Sequence, residues 1–223
     1  MANISFTKDE AILALDTLLF SSGEHFSPTS TAVLELSQLL NELPIHPMAK
    51  RMSNFRNPYG VSQQIRNFGR AKKIGVKDLH IGSVFFAVYD ENRYCLEKIH
   101  DIAEAIRNNK EFFQNHLFGD ELENDNFPEG ALLYHLHNLL ERRDSKNVMP
   151  EKRCSICQLN LAEVYKPITD SFMQLHLLVP VTELDYKTKY KPKDFVTVCP
   201  NCHTVLHKYR PWATKETASD ILG

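Results

Sequence analysis

The chain has 223 residues, 43% of them hydrophobic, with 8 glycines and a net charge of -2. That length allows one large domain or two small ones, and the composition excludes collagen-like, low-complexity and disordered chains. No apolar run is long enough to span a bilayer, and the opening MANISFTKDE lacks the basic-then-apolar pattern of an export signal, so a soluble, cytoplasmic chain with no membrane partner is the expectation.

Residues 1–45 read as helical. Thr7 to Glu10 has the Thr-x-x-Glu form of a capping box, and Ile12, Leu13, Leu15, Leu18 and Leu19 follow at helical spacing. A second helix is predicted after SPTST, with Val33, Leu34, Leu36, Leu39, Leu40 and Leu43 on its inner face and Pro44 as its stop. Pro58 and Gly60 then mark a turn. Beyond them Val61, Ile65 and Phe68 recur at i, i+4 and i+7, which predicts a short amphipathic helix over 60–69.

The other face of that helix is polar. Gln63, Gln64, Arg66, Asn67 and Arg70 are side chains able to reach base edges and phosphates, and Asn57 sits where a helix N-terminus could meet a phosphate. From Lys50 to Lys77 every charged residue is basic, Arg56, Lys72 and Lys73 among them, whereas Asp120–Asp125 is almost all acid. Such a block suits a phosphate-binding face or an ordinary solvated surface. Phe55 and Tyr59 could stack on a base or fill the core, and Phe68 is expected in the core.

Residues 79–145 read as two or three further helices, with SVFFAVY as a possible short strand. IHDIAEAIRNNKEFFQNHLF and PEGALLYHLHNLLERR carry helical periodicity, the second with Pro128 in a first turn. His135 and His137 lie two apart and point in different directions on a helix, so they are expected as surface or packing residues and not as a metal pair. RRDSKNVMPEKR reads as a linker.

Cysteine usage changes the picture at the C-terminal end. Cys154 with Cys157, and Cys199 with Cys202, form two C-x-x-C pairs, the arrangement of a closed structural Zn2+ site pinning the ends of an inserted element. Cys95 is left for packing. His203 and His207, at i and i+4 in a predicted helix, share one face, and the insert supplies His176 from the apolar run QLHLLVP, which reads as a strand. Three imidazoles on a strand and a helix make an open site for a hydrolytic divalent ion.

The stretch from Cys154 to His207 resembles an HNH nuclease domain of the ββα-metal type, in the subgroup with four zinc cysteines found in modification-dependent restriction endonucleases. HLLVP, KDFVTVC and CPNCHTVLH occupy the places of that family's His-His-x-x-Pro or Asp-His-x-x-Pro strand, its Asn or Asp before the second knuckle and its closing C-P-x-C-H-x-x-x-H. The resemblance covers about the last third of the chain. It implies that His176, His203 and His207 hold a catalytic ion such as Mg2+ or Mn2+, that His176, Asp194 and His207 carry catalytic roles, and that Asp194 positions the base loop. The departure from the pattern is Leu177, which stands where the family keeps its general-base histidine. Leucine takes no proton from water, and losing a positioned base costs about 100-fold to 10,000-fold in rate. Lys187, Lys189, Lys191 and Lys193, spaced by two, resemble an element that tracks phosphates.

The front of the chain, with DEAILALD, a Leu-rich helix and FRNPYGVSQQIRNF, more weakly resembles the helical domain preceding HNH modules in bacterial modified-cytosine-dependent restriction enzymes, which implies a DNA reader. The expected fold is therefore α+β and mainly α: a helical DNA-recognition domain over 1–145, its core over about 1–78, followed by a ββα-metal domain over 146–223. The expected partner is double-stranded DNA carrying 5-methylcytosine, 5-hydroxymethylcytosine or a phosphorothioate, with a homodimer or two binding events needed to break both strands. A DNA-binding protein with a degenerate HNH module, an HNH nuclease indifferent to modification, and a zinc-ribbon protein-interaction module stand as alternatives.

Overall fold

The computed structural model describes residues 4–21, 25–74, 82–117, 129–165 and 172–208. They are mainly helical, with one small antiparallel sheet. Contacts divide the chain into two units, Met1–Asp125 with Gly130–Leu132, and Asn126–Glu129 with Leu133–Gly223.

The first unit is organised around α1 (Lys8–Phe20). Its capping box forms as the sequence predicts: Thr7 N–H donates to Glu10 Oε2 at 2.8 Å and Glu10 N–H to Thr7 Oγ1 at 3.4 Å. Ala11 to Leu15 are all buried, because α2 (Thr31–Glu42), α3 (Pro58–Ile74), α4 (Ser83–Asn92) and α5 (Glu97–Asn108) pack around this helix. Each such Leu or Ile contributes about 1.5–3 kcal/mol when fully buried. Surrounding a helix on several sides also buries its polar residues, so Glu10 needs a partner inside.

That partner is Arg56. Its Nε and Nη2 donate to the two Glu10 carboxylate oxygens at 2.6 and 2.7 Å, and Nη1 and Nη2 also donate to the carbonyls of Ile4 and Ser5. The guanidinium lies 3.8 Å from the Phe6 ring centroid. Burial alone would raise the Glu10 carboxyl, but hydrogen bonds from Arg56 and His46 outweigh it and hold it below the usual carboxylate range. Arg56 also has φ 42, a left-handed backbone unusual for a side-chain-bearing residue, which these contacts hold in place.

A second close approach involves Asp9. Its carboxylate accepts from the N–H groups of Ala131 and Leu132 at 3.0 and 3.2 Å, capping the first turn of α7 (Ala131–Asp144). Gly130 makes this possible, with φ +87 and room for no Cβ, which would sit 2.2 Å from Asp9 Oδ1.

Several expectations for this region change. SVFFAVY is helical, the start of α4, with Phe85 and Val88 three apart on its buried face. The helix over 60–69 extends to Pro58–Ile74. IHDIAEAIRNNKEFFQNHLF is two helices, α5 and α6 (Lys110–His116), which step at Asn109, whose side-chain Nδ2 donates back to the Ala105 carbonyl at 2.9 Å. Leu34 faces outward and Cys95 is exposed, so neither packs in the core. Pro128 and the acidic Asp120–Asp125 lie outside the described residues.

In the second unit the short α8 (Leu161–Val164) follows the first knuckle. Strands β1 (Gln174–Leu177) and β2 (Phe195–Val198) pair antiparallel with His176 opposite Val196, and α9 (Pro200–Lys208) packs on both. Cys154, Met173, Val196, Val198, Cys199, Cys202 and Leu206 form a small core between them. Most of α7 belongs to this unit. RRDSKNVMPEKR is not a plain linker. Arg142, Arg143 and Asp144 are in the last turn of α7, and two of them hold the long hairpin loop: Arg143 donates to the Tyr186 carbonyl at 2.7 Å and to the Thr188 carbonyl, and Asp144 accepts from Tyr190 N–H at 2.9 Å.

Candidate metal centres

The two C-x-x-C pairs meet. One ligand atom from each of Cys154, Cys157, Cys199 and Cys202 lies within 4.8 Å of the others, and the Cys157 and Cys199 sulfurs are 3.7 Å apart. Each pair is a tight knuckle. Gln158 N–H donates to the Cys154 carbonyl at 2.9 Å, with Gln158 itself at φ 61, and Cys202 N–H points at the Cys199 sulfur at 3.5 Å. Burial would raise the Cys154 thiol, but the backbone N–H groups of Cys157, Cys199 and Ile156 pull it down to about 7, while burial pushes the Cys157 and Cys202 thiols up. Four converging sulfurs fit a tetrahedral ion such as zinc, which selects the thiolate form.

The histidines form a second cluster, larger than the sequence suggests. His176 points inward from β1 and is 0% exposed. Its ring centroid is 5.1 Å from that of His203 and 4.9 Å from that of His207, which lie one turn apart on α9. Glu141 of α7 completes the group, its oxygens 3.4 Å from His176 Nδ1 and 3.3 Å from His203 Nε2. One ligand atom from each of Glu141, His176, His203 and His207 lies within 4.8 Å of the rest.

The ring orientations can be read from hydrogen bonds. Gln174 Oε1 accepts from His203 Nδ1–H at 2.6 Å, which leaves the lone pair on His203 Nε2 facing the cluster, 2.9 Å from His207 Nε2. Burial first, then mutual repulsion, lowers the histidines: His207 to about 3, and His176 by burial against the pull of Glu141. Burial would raise Glu141, but the closeness of the His176 and His203 imidazoles outweighs it and holds the carboxyl well below its usual range. Imidazoles beside a carboxylate are a donor set that a divalent cation takes.

A further histidine joins from α7. His137, 0% exposed, has its ring centroid 5.1 Å from both His176 and His207, and its Nε2–H donates to the Leu177 carbonyl at 2.9 Å. Glu141 Oε2 accepts from the Leu177 N–H at 3.0 Å. Position 177 is thus held by two α7 side chains through its backbone, while its own side chain is fully buried. Of the two roles expected for His137, surface or packing, it has the buried one, and it lies against the imidazole cluster. The missed signal is His137 and Glu141 at i and i+4 on one helix face.

The cluster opens on a cleft of about 580 Å3 lined by Glu141, Gln174, His203 and His207, with Arg142 and Lys208 at its rim. The Asp194 carboxylate accepts from Lys191 N–H at 2.8 Å, and its carbonyl accepts from Leu178 N–H at 2.9 Å, so it braces the loop on both sides of the hairpin. Lys187, Lys189, Lys191 and Lys193 are exposed on that loop, which is not a strand there. A third group, Asp16, His100 and Glu104, already has a counter-charge: Arg107 bonds Asp16 at 2.6 Å and Glu104 at 2.7 Å.

The residues expected to read DNA divide. Tyr59, Gln63, Arg66 and Arg70 are exposed along α3, and Gln64 and Asn67 are half-buried. Arg56 is spent on Glu10 inside the fold and is not available to a phosphate. Asn57 Oδ1 accepts from Gly60 N–H at 2.8 Å, so it works as a cap for α3. The side chains of Lys72 and Lys73 lie outside the described part. Phe68 is core, Phe55 is buried against Arg51 and Arg56, and Tyr59 is 73% exposed.

Comparison with protein-family models, with curated proteins and with solved structures found no match in any of the three.

Proposed function

We propose that the second unit is an HNH-type phosphodiesterase module and that the chain acts on DNA, with the first unit as its reader. One observation carries this reading: an antiparallel hairpin and the helix after it bring the buried His176 together with His203, His207 and Glu141, which line a cleft, beside a set of four thiols. A divalent ion held by those four side chains would act as a Lewis acid on a phosphoryl oxygen. Arg142 and Lys208 at the rim offer positive charge to the flanking phosphates. Gln174 fixes the His203 ring, and Asp194 braces the loop that follows Leu177. In this reading the mark on the DNA is a modified cytosine, 5-methylcytosine or 5-hydroxymethylcytosine.

Leu177 leaves the hydrolytic step without a positioned proton acceptor, so this chain is a weak or inactive nuclease. The full burial of Leu177 favours a second reading, in which the module grips DNA without cutting it. Nicking assays with Mn2+ and Mg2+ on duplexes that differ only in cytosine modification, run on the chain, Leu177→His and His207→Ala, test both. The hydrolytic reading expects metal-dependent nicking that rises with Leu177→His and vanishes with His207→Ala. Salt-dependent binding with no cutting by a folded Leu177→His supports the grip. Absence of binding to every duplex at low salt overturns both.

A further inference from the structure

Away from the metal centres, the first unit contains a cleft of about 560 Å3 where the start of α3 meets residues 4–6 and 82–84. That volume falls in the range of about 300–1,000 Å3 typical of small-molecule sites. Its wall is rich in neutral amides: Asn54, Asn57, Gln63 and Gln64. Each such side chain except the capping Asn57 can offer a donor and an acceptor side by side. Gln64 sets a buried carbonyl oxygen in this wall with no hydrogen-bond partner among the described residues. Tyr59, 73% exposed, stands at the same cleft as a flat aromatic surface.

Among the described residues that line the cleft one side chain is charged, Arg56, and its guanidinium is already saturated by Glu10 and two backbone carbonyls. An anionic group would therefore gain nothing inside. A flat, neutral ring with donors and acceptors along its rim would gain both stacking and hydrogen bonds. Outside, the charge changes. Arg66 and Arg70 follow Gln63 at i+3 and i+7 on the exposed face of α3, roughly 4.5 and 10 Å along the axis. Guanidinium groups at those positions suit phosphates attached to a ring held in the cleft.

We propose that this cleft receives a nucleobase, with Tyr59 stacking on its face, Gln63 and Gln64 reading its rim, and Arg66 and Arg70 holding its phosphates. The assignment rests on the DNA-directed reading for its biological source, because base and phosphate can arrive on a free nucleotide or on one turned out of a strand. Extrusion from a duplex costs unpairing energy and is easiest where pairing is already weakened.

Amide resonances of the full chain, titrated with the four deoxynucleoside 5′-monophosphates and 5-methyl-dCMP, test the site directly, with deoxyribose 5-phosphate as the base-free control. Saturable shifts at Tyr59 and Gln64 are expected with at least one mononucleotide, weakened about ten-fold or more in Tyr59→Ala, a change at an exposed position that leaves the core intact. The control should move only the region of Arg66 and Arg70. Silence at the cleft with all five, or equal shifts from the base-free control, overturns the proposal. Duplex affinity across a salt series separates the two sources. A parallel loss of duplex affinity in Tyr59→Ala supports reading within a strand. Mononucleotide shifts with no duplex affinity at any salt keep the site and remove the DNA reading. Unchanged duplex affinity in Tyr59→Ala with silent mononucleotides removes the site and keeps the DNA reading.

Discussion

Four thiols are brought together by two short knuckles, Cys154 with Cys157 and Cys199 with Cys202, whereas three imidazoles and a carboxylate converge from α7, β1 and α9. The thiol cluster is part of the unit's small apolar core, with three of its four cysteines buried. The imidazole cluster borders a cleft and shares Glu141, His203 and His207 with its wall. Two neighbouring donor sets in one small unit can therefore do different work. An ion among the sulfurs would meet four protein ligands and hold the fold, while one among the imidazoles would face a space where another molecule can enter.

The sharpest way to break this contrast is Cys199→Ser. Structural zinc sites contribute apparent binding energies of about 10–16 kcal/mol, so the substitution should remove the cooperative melting of the second unit and collapse its amide dispersion. An unchanged melt would mean that the thiols do not staple the fold.

Next in size is the response to acid. His137 is pushed down to about 4, by burial first and then by repulsion from His176. An unfolded imidazole takes its proton near ~6.5, so between these values the unfolded chain holds more protons and acid favours it. The contribution is complete above the unfolded value and declines as the pH falls toward about 4, by roughly 1–3 kcal/mol. Melting temperatures of the second unit across that window should fall, and His137→Gln should flatten the slope. A profile already flat in the unsubstituted chain would contradict the burial of a neutral ring.

Gln174→Ala probes the open cluster alone. Removing the partner that orients His203 should weaken ion affinity by about 10–100-fold while leaving the thiol site loaded, measured as metal content after mild chelation. Equal loss from both sites would show that the two are not independent. The smallest effect is expected from Lys191→Ala, which should weaken binding to all duplexes alike and reduce the salt slope by about one.

What the sequence made legible followed from local spacing. Two C-x-x-C pairs and the i, i+4 pair His203 and His207 show their shared geometry within a few residues, and the capping box at Thr7 is equally local. Glu141 was hidden because its partners lie on other elements, and His137 looked ordinary when compared with His135 instead of with Glu141, one turn later. Arg56 was misread for the same reason: nothing near it in the chain reveals Glu10, so it counted toward a basic block although it is an internal counter-charge. SVFFAVY was ambiguous because its aromatic and β-branched residues favour strands, yet packing against α1 settles it as helix.

The grip of α7 on position 177 has one more consequence. In a two-stranded ribbon β1 has an outer margin, and the backbone groups of Leu177 would be free there to recruit a passing strand. Instead Glu141 and His137 occupy both groups, as a third strand would. Two side chains of or beside the candidate metal cluster thus also guard the sheet against self-association, so substituting Glu141 should leave the protein both weaker in ion binding and stickier toward its own copies.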